Sequence, residues 1–221
     1  MRKLLLLLMA MMVFALPVKA ESVYSIQHKD HIRQDYEIHI DFPNFDGLVN
    51  KKLEEEVNKG IKEEIDATMK QVKRAGENST GFPVLYYGES SVIEEKEMIS
   101  VILTSNITRG DYYESSVSSI NFENEKDGIF LKLEDVAHID KLNQEVQKKF
   151  SSDPETFNIQ SFQGVRKDTA YYIKDEKLTL VFNKHEVAAG VFGTPEISIP
   201  YHLVKKEKPQ HKKSVPVPKT V

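Results

Sequence analysis

The chain has 221 residues, 40% of them hydrophobic, a formal net charge of −4 and no cysteine. The missing thiols exclude disulfides, cysteine-based zinc and iron–sulfur centres and thiol nucleophiles. Residues 21–204 hold 21 Lys and Arg against 33 Asp and Glu, whereas 205–221 hold six Lys against Glu207; an acidic body argues against nucleic acid as a partner, which needs a basic face.

Arg2 and Lys3 precede a run of thirteen apolar residues, Leu4–Leu16, and Val18 and Ala20 place small side chains three and one before a cut. That layout predicts a secretory signal peptide, cleaved near Ala20, and a secreted or periplasmic product starting at Glu21. The run is short for a membrane span, which needs about 20 apolar residues.

Between His28 and His31 the stretch HKDH has a spacing that suits metal on a helix, but its neighbours read as strand or loop and no third ligand is near, so a polar surface loop is the better expectation. In 34–42, Tyr36, Ile38, Ile40 and Phe42 alternate with polar residues, the period of a strand with one wet face, which Pro43 should end. Asn44 or Asp46 should cap a long helix reaching about Arg74, with Val49, Leu53, Val57, Ile61, Ile65, Met69 and Val72 as its apolar stripe. The acids and lysines on its other face read as i,i+4 pairs in solvent.

A run of strands follows. Val84–Tyr87 is one. Residues 97–107 are apolar on both faces, which predicts a central strand covered on both sides; Gly110-Asp111 is a turn. Residues 115–122 form another strand, with Val117 out of phase, as at a bulge. NEKDG at 124–128 should then turn into Ile129–Leu133 as a hairpin. A helix is expected over 140–150 with Leu142, Val146 and Phe150 inside, and Asp153-Pro154-Glu155 has the cap, proline and acid of a helix start. Thr169–Ile173 and Leu178–Phe182 pair through KDEK, and Glu196–Leu203 closes the chain with Pro200 at an edge. Residues 205–221 lack large apolar side chains other than Val and read as a disordered Lys/Pro-rich tail. These elements predict an α+β fold in one extracytoplasmic domain, 21–204: an antiparallel sheet with one long helix and one or two shorter helices packed on one face.

No G-x-S-x-G, P-loop, G-x-G-x-x-G or H-E-x-x-H occurs. Carboxylate pairs are too abundant in a chain with 34 acids to single out a catalytic one. The unusual segment is NKHEVAAGVFGTPE, 183–196, which joins two strands. His185 and Glu186 lead it, and Val191 and Phe192 form an apolar tip between Gly190 and Gly193. Two readings stand open: a contact tip, or a loop folded on the core with Phe192 buried.

The order of pieces is familiar: a capped helix after an extended segment, the core strand ISVILTSN, an N-x-x-x-x-G turn into FLKLEDV, the helix KLNQEVQKKF and the aromatic hairpin AYYIKDEKLTLVFNKHEVAAGVFGTPEISIPY. Over about residues 30–204 this resembles the extracytoplasmic domain-of-unknown-function family found in a lysozyme-sensing anti-sigma factor and ahead of some peptidoglycan deacetylase domains. The family's final hairpin loop reads Tyr-Glu-apolar-Ala-Pro-Tyr-x-x-Gly. Glu186, Val187, Ala188 and Gly193 match it, His185 stands for the first Tyr, and Ala189 and Gly190 replace the Pro-Tyr pair. The resemblance implies a non-catalytic binding domain of the cell envelope, with His185, Glu186, Val191, Phe192 and Gly193 as the ligand-binding candidates. It further implies peptidoglycan or a protein such as lysozyme as ligand; the Lys-rich tail, by its charge, reads either as a contact for anionic envelope polymers or as a solvated end. No catalytic residue, metal or cofactor is expected. The alternatives are an uncharacterised envelope hydrolase using His185 and Glu186, and a structural envelope protein held by its basic tail.

Overall fold

The computed structural model describes residues 22–79 and 81–207. The apolar run 4–16, the expected cut at Ala20 and the tail from Lys208 lie outside the described residues.

Eight strands and four helices run in the order β1 (Tyr24–Ile32), β2 (Tyr36–Phe45), α1 (Lys51–Glu77), β3 (Val84–Glu95), β4 (Met98–Arg109), β5 (Tyr112–Glu123), α2 (Leu133–Val136), α3 (Ile139–Ser152), β6 (Ala170–Lys174), β7 (Lys177–Val181), β8 (Glu196–Pro200) and α4 (Tyr201–Val204) among the described residues. The α+β class expected from the sequence holds, and two features refine it. The strands form two sheets, β1-β2-β3-β4-β5 and β6-β7-β8, and β2 runs parallel to β3, Tyr36 opposite Val84 through Ile40 opposite Gly88. The α1 connection is therefore a crossover, which a parallel pair requires.

The layers follow from alternation. In the large sheet Ile38, Ile40, Tyr86, Val101, Leu103 and Phe122 face α1, where Leu53, Val57, Ile61, Ile65, Met69 and Val72 meet them. Its other face presents Ile102 and Val117 to Ala170 and Val181 of the small sheet. The far face of the small sheet, with Tyr171, Ile173, Leu178, Leu180, Ile197 and Ile199, packs on Leu142, Val146 and Phe150 of α3. The order is helix, sheet, sheet, helix, so helices cover both outer faces rather than one.

β1, read from the sequence as a loop, is an edge strand on β2. β2 passes Pro43 and ends at Phe45, because beyond Ile40 it has only β1 as neighbour and a missing donor is tolerated there. The α1 cap is consequently Asn50 rather than Asn44 or Asp46. Its side chain accepts from Lys52 and Leu53 N–H, and Val49, ahead of the cap, stays exposed. The register of β4 with β5 is unbroken from Met98–Glu123 to Arg109–Tyr112. Val117 is thus no bulge; it points into the second apolar layer while Ile120 and Phe122 point to the first. Residues 129–133 make only a bridge at Phe130 before Asp135 Oδ2 accepts from Lys132 N–H and starts α2. Asp153 ends α3 instead of starting a helix, since Phe157 turns back to stack on Phe150 at 4.7 Å. β8 stops at Pro200, on an edge as expected, and the chain turns into α4. Lys206 N–H donates to Val136 O, so the packed chain continues past 204. No helix among the described residues is long and apolar enough to cross a membrane.

Candidate functional site

The segment 183–196 joins β7 to β8 and is fastened to the large sheet at its start. Asn183 Oδ1 accepts from Val117 N–H at 2.8 Å, and Lys184 N–H donates to Ser115 O at 3.0 Å. Lys184 Nζ reaches Tyr113 O at 3.0 Å and lies 4.0 Å over the Tyr113 ring. A cation held on an aromatic face in this way is stabilised by the ring quadrupole.

Glu186 is spent on structure. One carboxylate oxygen takes the Arg166 guanidinium and the other accepts from Asn183 N–H at 3.0 Å. Arg166 also donates through Nε to Asp168 at 3.0 Å. Next to it Val187 and Ala188 are buried, and Val187 O accepts from Asn158 N–H at 2.9 Å. His185 has the opposite fate: it is exposed, with φ at 67°. Its imidazole lies against Gly190, where any Cβ would overlap the ring. Gly190 in place of an aromatic residue therefore makes room for the histidine five residues earlier. Glu186 is thus committed to Arg166 and Asn183 N–H, whereas the His185 ring lies on Gly190.

The tip points outward. Gly190–Phe192 is a single 3-10 turn closed by Gly193 at φ 62°, a left-handed conformation that favours glycine. Val191 is 87% exposed and Phe192 45%. Val187 and Ala188 are packed on the core, and Phe192 is not buried as the folded-loop reading would have it. The candidates thus divide: Glu186 is held by Arg166 and Asn183, while His185, Val191 and Phe192 are exposed. Tyr112, 61% exposed, and Tyr113 lie at the β4–β5 turn beside Lys184. Sequence reasoning omitted Lys184, Arg166 and Tyr113. Lys184 sat inside the segment already singled out; the other two come from distant strands and turns and carry no local signal.

The histidines near the N-terminus separate. His28 and His31 occupy opposite faces of β1. His28 Nδ1 lies 2.7 Å from Asp41 Oδ1 and Nε2 lies 2.9 Å from Asp30 Oδ2, while Asp30 Oδ1 lies 2.7 Å from His39 Nδ1. A neutral imidazole donates through one nitrogen only, so the charged form satisfies both carboxylates. His31 instead faces α1, with its Nε2 3.3 Å from the Tyr36 hydroxyl. No group of three or more His, Asp and Glu side chains among the described residues is placed to hold a metal ion.

Comparison with known proteins bears out the family resemblance. Residues 129–202, from the β5–α2 connection into the start of α4, match the family described as a protein of unknown function (DUF3298). A curated relative, the anti-sigma-V factor RsiV of Bacillus subtilis (strain 168), is 25% identical over 183 residues, covering 76% of this chain and 64% of its own length. The chain thus spans somewhat less than two thirds of that relative. A crystal structure of a DUF3298 family member from Bacteroides fragilis NCTC 9343 shares the fold with a TM-score of 0.60 at 12% identity, covering 84% of this chain and 94% of that one.

Proposed function

We propose that the chain is an exported, non-catalytic binding domain of the cell envelope, and that the tip of 183–196 is its contact surface. The observation that carries the reading is a rigidly tethered loop with an apolar tip in solvent. Exposing Val191 and Phe192 costs burial that the fold could have used, at about 25 cal/mol per Å² of apolar area. Three anchors hold the tip in that position: Asn183 on Val117, Lys184 on Tyr113 and Glu186 on Arg166. A pre-ordered apolar protrusion loses little entropy on binding.

The family resemblance and the anti-sigma relative support an envelope protein or wall glycan as ligand. Lysozyme is the first protein to try. The place held by Pro-Tyr in the family is Ala189-Gly190 here, so affinity for lysozyme should rest on Phe192 and the Tyr112–Tyr113 pair rather than on an aromatic at 190. Purified chain should be retained on lysozyme or on insoluble peptidoglycan. Phe192→Ala together with Val191→Asp should weaken that retention by about tenfold or more, the scale of a central apolar contact. Retention on neither material would end the ligand assignment; retention indifferent to the double substitution would move the surface elsewhere.

A further inference from the structure

Cations gather on a concave surface of the acidic body. It lies between the edge strand β1 and the second half of α1, on the sheet face that also carries the main core. Lys29 and His31 line one wall, Lys70, Lys73 and Arg74 the other, and the buried Met69 forms the floor. In the first half of the same helix Lys52 pairs with Glu56 and Lys59 with Glu63 at i,i+4. In the groove only Lys29 has an acid within reach, Asp66 at 3.6 Å. Glu77 closes the far end. Lys70 and Lys73 have no carboxylate partner among the described residues.

His31 reports the resulting field. Burial holds its proton affinity below the ordinary histidine value, and Lys73, Arg33 and Lys29 push it further down. No acid works against them. A chain that carries twelve more acids than bases in residues 21–204 nevertheless keeps a net positive channel here, with Lys29, Lys70, Lys73 and Arg74 against Asp66 and Glu77.

We propose that this channel binds a linear phosphate-bearing polymer. The charges form a row rather than a cup. Lys70 to Arg74 covers about 6 Å of helix, at 1.5 Å per residue, and Lys29 and His31 stand across from it, which suits successive phosphates better than a single one. Lysines and an arginine on separate, flexible stems match a chain of point charges. A membrane surface fits worse, because the groove is recessed between two elements and its floor is buried. The inference is independent of the loop surface proposed above, which lies at the other sheet's edge.

The test uses the purified chain and long-chain inorganic polyphosphate at low salt. Binding should be salt-sensitive. Lys70→Glu with Lys73→Glu should weaken it about tenfold or more, while Lys52→Glu with Lys59→Glu, outside the groove with equal charge change, should alter it by no more than about twofold. The His31 ring resonance should titrate at higher pH once polyphosphate is bound, because the anion offsets Lys73, Arg33 and Lys29. Thermal unfolding of each variant checks that it folds. No binding, equal losses in both double variants, an unmoved His31 titration, or retention only on phosphatidylglycerol vesicles would each overturn the proposal.

Discussion

At the scale of single residues, three titrating groups in β1 pull in different directions. His28 is held above the ordinary histidine value, first by its hydrogen bond to Asp41 and then by that to Asp30. Its favourable contribution is present below the ordinary value and is lost as pH rises through its own raised one. Asp30 is held below the usual carboxylate range, chiefly by His28 and then by His39. That contribution is present above the ordinary aspartate value and is lost as pH falls through the lowered one. His31 is native as the neutral ring, so acidification through its depressed value works against the fold. Titration of the ring protons by NMR should show His28 above and His31 below a free histidine. Asp41→Asn should lower His28 most, and the two rings titrating together would contradict the geometry. A second residue-scale case is Gly76. In the last turn of α1 a Cβ at this position would lie 2.9 Å from Asp35 O and 3.2 Å from the Tyr36 ring. The first of these is backbone and cannot yield cheaply. Gly76→Ala should therefore destabilise by about 1–3 kcal/mol despite its better helix propensity, as overpacking does, measured by urea unfolding.

Among the elements, α1 carries the largest core. Ile61 sits mid-stripe, 1% exposed. Ile61→Ala should cost about 2–5 kcal/mol through lost transfer energy and the cavity left behind. Asn50→Ala should cost about 1 kcal/mol through two uncapped N–H groups; chemical denaturation of the two variants should rank them in that order. The stripe of α1 was legible because four-residue steps of Val, Ile and Leu have one helical explanation. The double burial of β4 was legible for the same kind of reason, since Ile102 and Met98 made both faces apolar. Val117 was misread because a one-sided sheet was assumed for β5. With a second apolar layer above it, the out-of-phase valine is in phase with Ala170 and Val181. The parallel pairing of β2 with β3 was not legible at all, since no residue in either strand records which neighbour it takes. Asp153-Pro154-Glu155 has helix-start chemistry, yet the stacking of Phe157 on Phe150 outweighed that local preference.

Across the whole molecule, the two sheets are joined by small contacts. Ala170 is 1% exposed between them, and Tyr171 N–H donates to Ser119 Oγ at 3.0 Å. Enlarging this thin seam should separate the layers: Ala170→Leu is expected to lose about 1–3 kcal/mol and to broaden the calorimetric transition as the sheets decouple. The same seam accounts for what the sequence could and could not say of the candidate surface. The glycines and the exposed Val191-Phe192 pair were visible in one contiguous stretch. The supports from Tyr113, Val117 and Arg166 were not, because they arrive from β5 and from the segment before β6 only once the layers meet. β1 leaves a further consequence. Its outer rim has no strand beside it among the described residues, an invitation for another molecule's backbone to zip on. Lys29, Asp30 and the charged His28 line that rim, so a newcomer must strip water from ions before it forms its first ladder bond. The protein should therefore stay dispersed when concentrated in mildly acidic solution and become more adhesive as His28 loses its proton.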